Sequence, residues 1–444
     1  MGTKFIAFVL IFALSLGLCV YSSAQLRAEA EDFGPGEGEL LYGGRSEAEG
    51  LEIELRALLD STGALGWRSV YDAGSGERET EAHWYVPERA EADFPPGSGE
   101  RFPGGFEAVW RVAEGEEAQD AIPAWLLGFY SELDRGLREG GAKSLQYALG
   151  SMLDAQARSA LGSRSLQLEA GLARYEGGRV FTVCVWSAGW DEYRGAGGAL
   201  CADGFVYTAL YRGRGSDREA EAIARRPLVY EDGVFTAGKA ERVLEFGPGE
   251  YSSVTLAAGA DGSGLYAVCN SYGYDSELLL IDLDSLSAAQ RLTLPGRYGY
   301  TPDDVYVYPD LVVLTDGGDI CALAADGGGL RVMAQLDLNA LPHPESVRRY
   351  GEDGLLNMFF DRFAFAREGD TLAVLDLGQS VAYDEWALSA SGEAFHPWRG
   401  HMRLALFEGG ELAYCEWFRP EGGNGRGGGF VRTSSSLSLK GGAS

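Results

Sequence analysis

The stretch GLYAVCNSYGYDSELLLIDLDSLSAAQRLTLP, Gly264 to Pro295, decides the fold. Leu265 to Cys269 is apolar and aromatic. Asn270 to Ser276 carries the Asn, Ser, Gly and Asp of a turn. Leu278 to Leu283 is an apolar run too short for a helix. Asp284 and Ser285 turn the chain again, and Arg291 to Leu294 alternates polar with apolar residues. Three strands split by two tight turns form a meander, and a meander of this length is the unit of a β-propeller blade.

Composition agrees. The chain has 444 residues, enough for a large core, and 64 of them are glycine. Frequent glycine means frequent turns, which suits short strands better than long helices. The formal net charge of −29, from 37 basic and 66 acidic residues, excludes phosphate-backbone recognition, so nucleic acid is not an expected partner. An anionic membrane surface would also repel the chain. The excess is densest over residues 25–120 and reads first as a solvated acidic face.

Residues 1–24 read as a targeting segment. Lys4 precedes an apolar run from Phe5 to Tyr21, and Ser22, Ser23 and Ala24 offer small residues for a signal peptidase. Cleavage after Ala24 and retention as an N-terminal membrane anchor both stay open, and both carry the remaining chain out of the cytoplasm. Membrane contact is expected only through residues 5–21, if they are retained. Beyond this segment stand Cys184, Cys201, Cys269, Cys321 and Cys415. They are scattered one per strand-like run and read as small buried hydrophobes, with pairing of Cys184 and Cys201 left open and no metal-ligand spacing.

Residues 25–50 are acidic and glycine-rich, an expected exposed linker. Residues 51–117 hold short strand candidates (Leu51 to Leu58, His83 to Val86, Phe106 to Val112), either part of the propeller or beside it. Over residues 118–162, Asp120 and Pro123 start a helix carrying Leu126, Phe129, Tyr130, Leu133 and Leu137. A second run with Leu145, Leu149, Met152 and Leu153 completes an expected αα-hairpin inserted near the N-terminal third. From Ser165 the period switches to two, and a series of strands runs to Phe418 over residues 163–420. One helix interrupts it, predicted over Ala220 to Ala224 from the capping box Ser216–Glu219. Residues 421–444 read as a disordered tail.

Here the chain resembles known repeat families. Leu265-Tyr266-Ala267-Val268 followed by Leu278-Leu279-Leu280-Ile281-Asp282-Leu283 is similar to the YVTN-type propeller repeat. Gly318-Asp319-Ile320-Cys321-Ala322-Leu323-Ala324-Ala325-Asp326-Gly327-Gly328 resembles a quinoprotein-like blade. Phe363-Ala364-Phe365 with Thr371 to Leu375 fits the same rhythm. The resemblance implies a mainly β chain and roughly five or six blades between Ser165 and Phe418. It implies no activity, because propellers host scaffolds, hydrolases, lyases and dehydrogenases alike.

The chemistry-bearing residues are sparse. There are four histidines and no G-x-S-x-G elbow. His396 and His401 bracket a turn and read as loop histidines without a ligand, so no metal site is expected. Asp261-Gly262-Ser263-Gly264 and Asp282-Leu283-Asp284 are oxygen-rich but lack the alternation of a calcium loop, and read as hairpin turns. The aromatic loop Trp186, Trp190 and Tyr193 is a candidate stacking platform for a sugar ring or peptide, and Trp386 with Trp398 offers a second. The plainer reading makes Trp186 core and Trp190 a cover for a sheet edge.

The expectation is an extracytoplasmic β-propeller that binds a protein, small-molecule or carbohydrate ligand without catalysis and without a cofactor. Two alternatives stand beside it: a carbohydrate-active hydrolase or lyase of propeller type, and a membrane-anchored sensor or assembly factor.

Overall fold

The stretch from Gly264 to Pro295 supplies three strands of a four-stranded antiparallel sheet: Ser253–Ala258, Gly264–Asn270, Ser276–Asp282 and Ser287–Leu294, paired in chain order. A computed structural model describes residues 35–59, 65–84, 106–137, 142–148, 154–155, 166–175, 177–187, 198–213, 218–231, 234–271, 275–299, 304–326, 329–344, 349–350, 355–356, 358–381, 387–388, 394–395, 398–420 and 430–439. Within this sheet the Asp282 carboxylate closes the last turn. It accepts the backbone N–H groups of Asp284 at 2.9 Å and Ser285 at 2.7 Å, which hold its pKa below the ordinary range. Leu286 takes the left-handed conformation there, φ 52°.

The period of two explains the packing. Leu265, Ala267 and Cys269 point into one apolar cluster, shared with the strands between residues 199 and 245. Val268 and Leu278, on the other face, join Val312, Leu314 and Leu323 of the next sheet. A sheet buried on both faces reads as a nearly continuous apolar run, as Gly264–Asn270 does. The last strand, Ser287–Leu294, alternates exposed and half-buried positions.

The protein is a mainly β chain, a β-propeller of six small sheets. Four lie in the unit Glu88–Ala340: the 106–187 blade, the 199–245 blade, the 253–294 blade and the 305–337 blade. The other two lie in the unit Met1–Pro87 with Leu341–Ser444. One of these is the N-terminal blade, with strands Leu51–Leu59, Leu65–Asp72 and Glu77–Trp84. The other is the C-terminal blade, with Met358–Glu368, Thr371–Val381, Trp398–Glu408 and Glu411–Pro420.

The chain ends exchange partners. Pro35–Tyr42 pairs with Glu411–Pro420 and so extends the C-terminal blade, while Phe430–Leu439 pairs with Leu51–Leu59 and extends the N-terminal one. This corrects two expectations in part: the acidic linker over 25–50 holds a strand at Pro35–Tyr42, and the disordered tail over 421–444 holds one at Phe430–Leu439, while residues 25–34, 421–429 and 440–444 lie outside the described residues. Pro35–Tyr42 is an edge strand held by its backbone, and its large apolar residues Leu40 and Tyr42 are exposed, so no buried-face pattern marks it. Phe430–Leu439 is serine-rich and is recruited by a partner nearly four hundred residues earlier, which local composition does not encode.

Two predicted helices are strands. Ala142–Ala148, where the second helix of the expected αα-hairpin would begin, pairs with Leu166–Tyr175 instead, and most of the rest of that run lies outside the described residues; the first half of the hairpin is helical. That half is the helix Leu127–Gly136, preceded by a short turn at Ala124–Leu126. It buries Phe129, Tyr130 and Leu133, with the Phe129 ring stacked on Phe235 at 5.8 Å. Glu219–Glu231 is also a strand. It bonds the strands on both sides, and its small residues Ala220, Ala222 and Ala224 are fully buried. Ladder pairing on both sides and burial of the small side chains outweigh the helical bias of alanine and of a capping box. All five described cysteines are buried and free, as small hydrophobes would be.

Candidate functional site: an acidic cleft in the unit Glu88–Ala340

A cleft of about 820 Å³ opens within the unit Glu88–Ala340. Hairpin turns from two neighbouring blades build most of its wall. The 253–294 blade supplies the turns at Gly259–Gly264 and Asp282–Asp284, and the 305–337 blade supplies those at Val307–Pro309 and Gly329. Phe106, Glu107 and Val109 enter from the first strand of the 106–187 blade.

Backbone bonds hold these parts in place. Glu107 donates its N–H to the Ala260 carbonyl at 3.1 Å, and Ala202 donates to the Gly262 carbonyl at 3.1 Å. Gly262 adopts φ +73°, and a Cβ there would sit 2.8 Å from the Ala202 backbone nitrogen, so the turn admits only glycine at full closeness. The Asp261 carboxylate accepts from the Ser263 N–H at 2.9 Å and its hydroxyl at 2.7 Å. Between the two blades, the Gln290 side chain donates to the Leu330 carbonyl at 2.7 Å and accepts the Leu330 N–H at 2.6 Å.

The lining has a definite chemistry. Among the described residues it includes four carboxylates, Glu107, Asp261, Asp282 and Asp284, and no lysine, arginine or histidine. The three aspartates are exposed, whereas Glu107 is half-buried, and burial alone pushes its carboxyl up to about 7. Tyr266, Tyr308, Leu280, Val307 and Leu330 add an aromatic and apolar surface. Burial and the Asp261 charge raise the Tyr266 hydroxyl above its usual range, so it stays a neutral donor. The arrangement can attract positive charge, desolvate an apolar stem and accept hydrogen bonds.

Sequence reading found half of this. It singled out Asp261–Gly264 and Asp282–Asp284 separately, and the turn chemistry it assigned them is present, but the fold sets both on one cleft. Glu107 carried no signal, because a lone glutamate in an alternating strand looks like a solvent-facing position. Of the aromatic platform, Trp186 and Trp398 are placed by backbone only: Trp186 opposite Gln167, and Trp398 at the start of its strand opposite Val381. Trp190, Tyr193 and Trp386 lie outside the described residues, as does His396. His401 is corrected. It is not a loop residue but sits inside the strand Trp398–Glu408, 2% exposed. Among the described residues no cluster of metal-ligand type is present.

No family model matches the chain, and no curated protein matches it. Solved structures similar to it include a putative 6-phosphogluconolactonase from Bacteroides fragilis NCTC 9343, with 13% identity, 83% of this chain and 94% of that chain covered, and a TM-score of 0.23. A putative 6-phosphogluconolactonase from Bacteroides uniformis ATCC 8492 shows 12% identity, coverage of 82% and 99%, and a TM-score of 0.24. TolB from Acinetobacter baumannii shows 10% identity, coverage of 84% and 79%, and a TM-score of 0.23. At these TM-scores the likeness carries no argument about activity.

Proposed function

We propose that this chain is a non-catalytic, extracytoplasmic binding propeller whose cleft receives a positively charged ligand, such as a basic peptide segment or an organic amine. One observation carries the reading: four carboxylates and no basic side chain among the described residues of an 820 Å³ cleft with aromatic and apolar walls. The net charge of −29 supports it by steering cations toward the surface before contact. Export is supported by the apolar run Phe5 to Tyr21 and the small residues after it.

The test is calorimetric titration of the full chain with a lysine-rich peptide and a matched glutamate-rich one. The basic peptide binds, weakens with added salt, and loses about tenfold in affinity on combining Asp261→Asn with Asp284→Asn. Equal behaviour of the two peptides, or no effect of the paired substitution, overturns the reading. Chemical sequencing of the N-terminus from the exported fraction tests localisation.

A hydrolase or lyase reading draws on one specific feature, the Glu107 carboxyl near neutrality, which is the protonation behaviour of a general acid. Turnover of a glycoside library that Glu107→Gln abolishes would favour it over simple binding.

A further inference from the structure

One face of the C-terminal blade carries Asp376, His401 and Arg403, where the other is mainly apolar apart from Glu416. On the apolar face Met402, Leu404 and Leu406 join Tyr414 and Phe418 in a buried cluster. Strand register puts Asp376 opposite Arg403 and Gly378 opposite His401 on the polar face, with Trp417 opposite Arg403 on the next strand. Asp376, His401 and Arg403 are 1%, 2% and 1% exposed. Arg403 Nη2 donates to Asp376 Oδ2 at 3.0 Å. The His401 ring lies flat on Trp417, centroids 4.4 Å apart and 15° from parallel.

The hydrogen-bond account does not close. Among the described residues, Asp376 Oδ1 and both ring nitrogens of His401 have no partner, and His401 Nε2 stands 3.5 Å from the Asp376 Oδ2 that Arg403 already holds. Leaving three such atoms bare in a protein interior costs about 1–3 kcal/mol each, which native proteins rarely tolerate. The ring cannot swing freely to close the gap, because Trp417 covers one of its faces.

We propose that this face of the C-terminal blade is a built-in binding site for ordered water, held between Asp376 Oδ1 and a ring nitrogen of His401. The missing partner must both donate, to the carboxylate, and accept or donate at the imidazole, which water does. A cation is disfavoured by the Arg403 guanidinium at the same carboxylate, and an anion by Asp376 itself. Interior waters of this kind hold about three hydrogen bonds and persist because their removal strands buried polar atoms.

A crystal structure of the full chain at a resolution that orders solvent decides the matter. The expected result is solvent density about 2.7–3.2 Å from both Asp376 Oδ1 and a His401 ring nitrogen. An empty gap, direct bonding of His401 to Asp376, or density of an ion overturns the proposal. His401→Phe keeps the stack on Trp417 and removes both nitrogens. Deuteron relaxation dispersion should then count fewer long-lived internal waters than in the unsubstituted chain, and an unchanged count is also fatal. If the variant does not fold, the crystal structure of the unsubstituted chain still gives the answer.

Discussion

Arg45 Nη2 donates to Glu416 Oε1 at 2.8 Å, and Glu416 is completely buried. Arg45 sits just after the N-terminal edge strand, and Glu416 lies in the strand which that edge strand pairs with. The Tyr71 hydroxyl, from the N-terminal blade, lies 2.9 and 2.8 Å from the two carboxylate oxygens, and the Tyr414 hydroxyl also donates to Glu416. Arg45 further bonds the Tyr71 oxygen and the Ala73 carbonyl. One carboxylate therefore ties together the N-terminal edge strand, the N-terminal blade and the C-terminal blade, where the chain ends interlock.

Removing that carboxylate strands its donors. Glu416→Leu is expected to cost about 3–5 kcal/mol in urea denaturation, the usual range for breaking a buried charge pair. Arg45→Met should cost far less, on the order of 1 kcal/mol, because the guanidinium is a third exposed and the tyrosines still satisfy Glu416. Equal costs for the two would contradict this assignment of roles.

Glycine is required where the edge strand crosses the same carboxylate. A Cβ on Gly38 would lie 2.1 Å from Glu416 Oε1 and 2.7 Å from the Phe418 ring. Gly38→Ala should displace the strand Pro35–Tyr42 at a cost of about 1–3 kcal/mol. Its amides should exchange with deuterium faster, while those of Ser253–Leu294 keep their protection.

Stability should carry the signature of Glu107. Its folded pKa of about 7 lies above its ordinary 4.5, because burial favours the neutral acid. The fold therefore retains a proton that the unfolded chain releases, and this contribution is fully present below about pH 4.5 and lost as pH rises through 7. Thermal melts of Glu107→Gln should match the parent at pH 4 and exceed it at pH 8. A constant offset across that window would rule the explanation out.

The bond between Gln290 and Leu330 joins two blades at the cleft. Gln290→Ala leaves the amide and carbonyl of the buried Leu330 without their side-chain partners and should cost about 1–3 kcal/mol. Cation affinity should fall with it, since the turns of the two blades lose their fixed spacing. Unchanged chemical denaturation would mean that solvent replaces the side chain without loss.

The aromatic and acidic segments show how legibility varied. Asp282 was readable as a turn residue because its bonds reach only to Asp284 and Ser285. Ala220, Ala222 and Ala224 were misread because helix caps and alanines are strong local cues, and the strand there is imposed by ladders on both sides. His401 was misplaced for a similar reason. Its neighbours Pro397 and Gly400 look like a turn, yet the strand Thr371–Val381 pairs with Trp398–Glu408, Gly400 and His401 included.

The residues alone determined the unit of construction. Alternation over Gly264 to Pro295, with aspartate and glycine at the turns, is short-range physics, and it specified the three-stranded meander at the heart of a blade. Tertiary structure decided which strands complete those blades. Pro35–Tyr42 and Phe430–Leu439 have no apolar pattern of their own and become strands only because a partner's open edge offers hydrogen bonds. The cleft was decided at the same level, since Glu107, Asp261 and Asp282 meet only after separate blades have stacked, and no local pattern records which turns stacking makes neighbours.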